Sequence, residues 1–235
     1  MDTALLKRDV ISQLWSEYIK TAEYKSGATK AIPSHFKIVE LREKEGLKII
    51  YSNFVKSLRS KGIIAVQYKE RTISEWLIEW KEMHSTLFKY VLKKRGSWRK
   101  IDIRFGDPGD EDLHRIPKHQ YVPIEMNKFA EELKYLINLD YSSNLEKIKV
   151  LAKIHYQFVR IHPFPDGNGR IARAITDQIA VFFGLPVAMV GYPRHEISKR
   201  VQYHKAIRAC IDDPEYNELA TWINSYIELQ LDRLA

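Results

Sequence analysis

His162, Asp166, Gly167, Asn168, Gly169, Arg170 and Arg173 fall within twelve residues, between two stretches of helical apolar period. These residue types suit chemistry at a phosphate. Imidazole takes a proton near neutral pH, so His162 is a candidate base. Glycines on either side of Asn168 permit positive φ and a close approach of backbone to ligand, so that successive N–H groups form an anion-binding nest. A helix opening near Asn168 adds unsatisfied N–H groups and the positive end of its dipole. Arg170 and Arg173, three apart, share a helix face and are able to clamp further phosphate oxygens. Asp166, beside the nest, offers Mg²⁺ a hard oxygen ligand. Each feature alone has an ordinary explanation as a turn, a capping histidine or a solvated arginine; their order together reads as phosphoryl or nucleotidyl transfer.

These groups need rigid supports. Pro163 and Pro165 disfavour helical dihedrals at His162 and Phe164, so the preceding helix is expected to stop at His162. Upstream, Asn144 is the expected cap of a helix to Ile161 that buries Ile148, Leu151, Ala152, His155, Phe158 and Val159; His155 reads as a core or supporting residue rather than a ligand. Downstream, a helix over 168–183 carries Ile171, Ile175, Ile179 and Phe182 as its core stripe and ends at Gly184-Leu185-Pro186.

The run His162-Pro163-Phe164-Pro165-Asp166-Gly167-Asn168-Gly169-Arg170-Ile171-Ala172-Arg173 resembles the motif of Fic-domain proteins of the Fido superfamily, His-Pro-Phe-x-(Asp/Glu)-Gly-Asn-Gly-Arg-x-x-Arg, at every defined position. The resemblance implies a protein adenylyltransferase, moving AMP from ATP to a hydroxyl side chain of a target protein. It implies His162 as general base, Asp166 as the Mg²⁺ ligand, Gly167, Asn168 and Gly169 as the anion hole, and Arg170 and Arg173 on the nucleotide phosphates. Tyr203, in a stretch similar to the helix bordering the nucleobase in that family, is a candidate wall for the adenine. The implied fold is all-α, a Fic-type helical bundle with a small β-hairpin flap at about 97–122 that docks the target chain. Residues 1–70 would be a helical extension and 71–235 the core. Many family members are restrained by a helix ending (Ser/Thr)-x-x-x-Glu-(Gly/Asn). Here Ser142…Glu146 is followed by Lys147 and reads as a capping element, whereas Glu45-Gly46 matches the end of the pattern with Leu41 at its start. Restraint then falls to a separate small antitoxin, to an unrecognised device in residues 1–70, or is absent.

Three other readings stay open. A Fic enzyme could use another donor, transferring UMP or GMP or phosphorylating its target. An all-α metal phosphohydrolase would need a His-Asp dyad that the chain lacks. A non-enzymatic basic binding module fits the net charge of +8, which is uneven: residues 1–100 hold 21 Lys+Arg against 11 Asp+Glu. Those basic residues are scattered without aromatic interleaving, so a solvated surface is the simpler reading than a nucleic-acid site.

The rest of the chain bounds the class. Its 235 residues, 45% hydrophobic, suffice for one large domain or one domain with an extension. No apolar run approaches a bilayer span, and the charged segment after Met1 does not read as a signal peptide. A cytosolic protein is the default; an effector exported by another route has the same composition. Cys210 stands alone, which excludes an internal disulfide and a cysteine-built zinc site. Helical period is expected over 4–24, about 35–58, 72–94, from Pro123, 196–210 and 215–234, and strands over Trp98–Phe105 and His119–Val122.

Overall fold

In a computed structural model the described residues are 45–56, 68–89, 95–103, 114–187, 189 and 197–234. The expected helix over 4–24 lies outside them. Helix α1 (Ile73–Leu87) starts at a Thr72 N-cap, whose hydroxyl accepts from the Glu75 N–H while the Glu75 carboxylate accepts from the Thr72 N–H. Its sequence signature is Thr72-x-x-Glu75. Trp76, Trp80, Met83, His84 and Leu87 face inward at spacings of three and four. The helix ends earlier than Lys94, because the chain turns at Phe88 and comes back to place the Gly96 N–H on His84 Nδ1 at 2.9 Å.

After a 3-10 turn (His119–Tyr121), α2 (Val122–Ile137) begins with Pro123 in its first turn, where a missing N–H costs nothing. Helix α3 (Asn144–Ile161) is capped by Ser143 rather than Asn144, and Glu146 completes the capping box. Ser142 also donates to that carboxylate, so Ser142…Glu146 is a capping element in the structure too. Helix α4 (Asn168–Phe182) packs antiparallel beside α3, and α5 (Ile197–Ala209) and α6 (Asn217–Leu234) close the bundle. No described helix is long and apolar enough to cross a membrane.

The fold is all helical, as expected, but α4 is buried nearly all round rather than along one stripe. Leu47, Ile50, Tyr51 and Phe54 of the helical segment 45–56 belong to the same core cluster and cover its outer side. Asp177 and Thr176, two of the polar residues this traps, are matched. Tyr51 Oη donates to Asp177 at 2.7 Å, the Met189 N–H donates to the same carboxylate at 2.8 Å, and the Thr176 hydroxyl donates to the Ala172 carbonyl.

The expected strands are absent among the described residues. Residues 97–103 are bends and coil, and His119–Tyr121 is a 3-10 turn; 104–113, the middle of the expected flap, lie outside the described residues. Side chains replace the ladder here. Asp102 Oδ1 accepts from the His119 N–H at 2.7 Å, and the buried Arg99 side chain donates to the carbonyls of Ile101 and Pro117. The apparent alternation of Trp98, Ile101 and Ile103 misled, because the inward residue is Arg99 and Ile101 is exposed.

Candidate active site

The turn between α3 and α4 is set by local sterics. Helix α3 ends with His162 in the left-handed region, at φ 49° and ψ 58°. Its N–H still bonds the Phe158 carbonyl at 3.0 Å, while its carbonyl accepts from Arg99 Nε at 2.9 Å. Phe164 is fully buried against Phe158 and Trp98 and stacks on His84, with centroids 4.1 Å apart and planes 10° from parallel. The Asn168 side chain laces the turn: its Oδ1 accepts from the Phe164 N–H and its Nδ2 donates to the Phe164 carbonyl, both at 2.8 Å. Asn168 thus braces the turn through its side chain.

The two glycines differ in what they do for the backbone. Gly167 has φ 79°, and a Cβ there would lie 2.6 Å from Phe88 Cε2. Gly169, already inside α4, has no positive φ, contrary to the expectation for both glycines; a Cβ there would meet Arg173 Nη1 at an ordinary 3.5 Å. Its lack of a side chain instead leaves the cavity wall open at the helix N-terminus. The N–H groups of Arg170 and Ile171 donate back to the Gly167 carbonyl, and that of Gly167 to Asp166 Oδ1 at 2.6 Å. The first-turn donors left for a ligand are the amides of Asn168 and Gly169.

A cavity of about 190 Å³ opens over this turn, lined by His162, Asp166, Gly167, Asn168, Gly169, Arg170, Arg173 and Tyr203. All eight residues singled out in the sequence meet there. Val159, Arg200 and His204 also line it. Arg200 and His204 could have been found from Tyr203, since positions 200, 203 and 204 share one helix face.

Half-buried His162 has a defined tautomer. Its Nδ1 lies 3.0 Å from the Val159 carbonyl, which only accepts, so the proton sits on Nδ1 and Nε2 is the nitrogen able to take another. Burial, reinforced by the Arg99 charge and opposed by the Val159 bond and Asp166, holds the ring pKa down at about 4. The imidazole is therefore neutral, in its base form, throughout the neutral range. Deeper in, His155 is fully buried between the Thr176 hydroxyl at 3.0 Å and the Tyr203 hydroxyl at 2.8 Å, which fixes the ring of Tyr203 at the cavity wall. Desolvation keeps His155 neutral too, with a pKa near 3.

Asp166 is part-exposed, and its Oδ1 pairs with Arg170 at 3.3 Å. No group of three or more His, Cys, Asp or Glu able to hold a metal occurs among the described residues. A lone carboxylate beside a phosphate nest is nevertheless a donor set that suits Mg²⁺, which is commonly held by one or two carboxylates, substrate phosphates and water.

Residues 76–180 match the model of the Fic/DOC family. This stretch, which runs from within α1 to within α4 and includes the turn, is similar to a Fic/DOC domain. The protein adenylyltransferase Fic of Drosophila willistoni is 31% identical over 144 residues, covering 60% of this chain and 25% of that protein, and its Drosophila virilis counterpart is 30% identical over 144 residues, covering 60% and 26%. The chain spans about a quarter of the length of the curated relatives it matches. Among solved structures, a Fic-1 fragment (residues 134–508) of C. elegans aligns with a TM-score of 0.66 at 19% identity, covering 99% of this chain and 66% of that one. A Fic domain containing signaling protein from Bacteroides thetaiotaomicron aligns with a TM-score of 0.62 at 16% identity, covering 96% of both chains. At these identities the structures speak for the fold alone.

Proposed function

We propose that the chain is a protein adenylyltransferase, with ATP as donor and a Ser, Thr or Tyr hydroxyl of a target protein as acceptor. The observation that carries this reading is the juxtaposition, in one cavity, of an imidazole whose Nε2 accepts a proton with the amides and arginines of a phosphate nest. The triphosphate lies on the Asn168 and Gly169 amides, with Arg170 and Arg173 on its oxygens and Tyr203 beside the base. The hydroxyl gives its proton to His162 Nε2 as its oxygen bonds the α-phosphorus. The bond from that phosphorus to the α,β-bridging oxygen breaks, and pyrophosphate leaves. Mg²⁺, which Asp166 would hold, neutralises phosphate charge when bound. Positioning and charge supply most of the rate, as in phosphoryl transfer generally. The segment around 97–122 would dock the target chain.

Incubation with α- and γ-labelled ATP tests this. Label from the α-position alone, with the adduct mass of AMP, is the expected result on the protein itself or on a lysate target. Label from the γ-position would make the enzyme a kinase. Neither label, with strongly salt-dependent DNA or RNA binding, would favour the basic binding module.

A restraint by Glu45 is also supported. Gly46 packs so closely on the end of α1 that a Cβ would lie 2.5 Å from the Leu87 carbonyl oxygen. The next layer, Leu87 and Phe88, touches Gly167, and the Arg170 guanidinium sits over the Phe88 ring at 5.0 Å. Glu45, in the helical segment 45–56, therefore lies one layer from the nest, and Glu45-Gly46 is the pair that matches the end of the restraint pattern. Glu45→Gly is expected to raise autotransfer several-fold in the labelling assay. An unchanged rate would move the restraint to a separate antitoxin or another segment.

A further inference from the structure

The left-handed conformation of His162 is one that L-residues leave readily unless both flanking peptide groups are held. Its N–H is held by the Phe158 carbonyl of its own helix. Its carbonyl is held from outside the helix, by Arg99 Nε at 2.9 Å. Arg99 is only 2% exposed, and every arm of its fork is used: Nη1 donates to the Ile101 carbonyl at 2.9 Å, Nη2 donates to the Pro117 carbonyl, and Asp102 lies 3.8 Å from Nη1. The Arg99 backbone N–H adds a bond to the Pro163 carbonyl at 2.8 Å. One residue therefore ties together three stretches of backbone, 99–102, 117 and 162–163. Two of these are the feet of the segment 97–122, and the third carries the base.

We propose that Arg99 is the positioning residue for His162, acting through the His162 backbone and coupling the feet of the 97–122 segment to the placement of the imidazole. Release of the His162 carbonyl lets that residue relax to negative φ, which swings the ring off the Val159 carbonyl and removes the constraint that puts the proton on Nδ1. A lysine does not replace the fork, because one ammonium cannot span three carbonyls that point at a planar guanidinium. The nest is not held by Arg99: Asn168 is braced by Phe164, and Asp166 pairs with Arg170.

The coupling to catalysis rests on the adenylyl-transfer reading, so the test uses one readout with turnover and one without. Arg99→Lys and Arg99→Ala are compared with the wild-type chain for transfer from α-labelled ATP, for ATP affinity, for melting temperature and for the ¹⁵N tautomer signals of His162. The expected result is a fall of about 100-fold in kcat, the scale of a misplacement of roughly 1 Å, with ATP affinity within about threefold. The His162 signal is expected to change from the pure Nδ1–H tautomer to a mixture. A wild-type tautomer signal in the variants overturns the proposal whatever the rate. So does a parallel loss of ATP affinity and melting temperature, which marks a merely structural role. Should Arg99→Ala not fold, Arg99→Lys decides alone. If the wild-type chain transfers no nucleotide, the functional reading fails, while the tautomer comparison still decides the role of Arg99.

Discussion

Replacing His162 with alanine is expected to lower transfer of the α-label by roughly 10²–10⁴-fold, the usual contribution of a general base, while ATP affinity stays within a factor of about three. The separation follows from the site. The groups that would hold phosphates belong to the first two turns of α4, whereas His162 ends α3 and reaches the cavity from the other side of the bend. His162→Asn is the companion variant, because asparagine tolerates the φ of 49° at this position yet takes up no proton. Both variants are expected to be slow and to bind ATP. A His162→Asn protein that transfers at the wild-type rate would remove the imidazole from the mechanism.

Gly167→Ala is expected to damage both stability and nucleotide binding. An L-residue at φ 79° costs about 1–2 kcal/mol. The added methyl would also stand 2.6 Å from Phe88 Cε2 and 3.0 Å from Leu87 Cδ2. Phe88 and Leu87 are buried, so they cannot swing aside into solvent, and overpacking of this kind costs about 1–3 kcal/mol. The sum, roughly 2–5 kcal/mol, is a large part of a typical domain's stability. At about 2–4 °C per kcal/mol for a chain of this size, the melting temperature falls visibly. Gly169→Ala is the contrast: helical φ and only the Arg173 contact at 3.5 Å predict an unchanged melting temperature with weakened ATP binding. Equal melting temperatures for Gly167→Ala and wild type would contradict this packing argument.

The legible parts of the molecule were those written in local sterics. Pro163 and Pro165 fix the end of α3, Gly167 fixes the bend, and the three-residue spacing of Arg170 and Arg173 puts both on the cavity. The helices flanking the turn followed from apolar period, within a residue or two at their ends. What could not be read depends on residues far apart in sequence. His84 stacks on Phe164, 80 positions on, and looks like any inward position of an amphipathic helix. Arg99 is 63 residues from the carbonyl it holds, and its neighbours imitate a strand. The burial of α4 on its polar side needed the helical segment 45–56, whose Tyr51 meets Asp177 across 126 residues. Period within α4 reports one apolar face and says nothing of a cover supplied from elsewhere.

The most direct test of the central claim is a crystal structure of the chain with Mg²⁺ and an ATP analogue that cannot be cleaved between the α- and β-phosphorus. The expected map has phosphate oxygens on the Asn168 and Gly169 amides and on Arg170 and Arg173. It also leaves room for a hydroxyl oxygen within about 3 Å of His162 Nε2, in line with the α-phosphorus. An analogue bound elsewhere, or an α-phosphorus out of reach of His162, would contradict it.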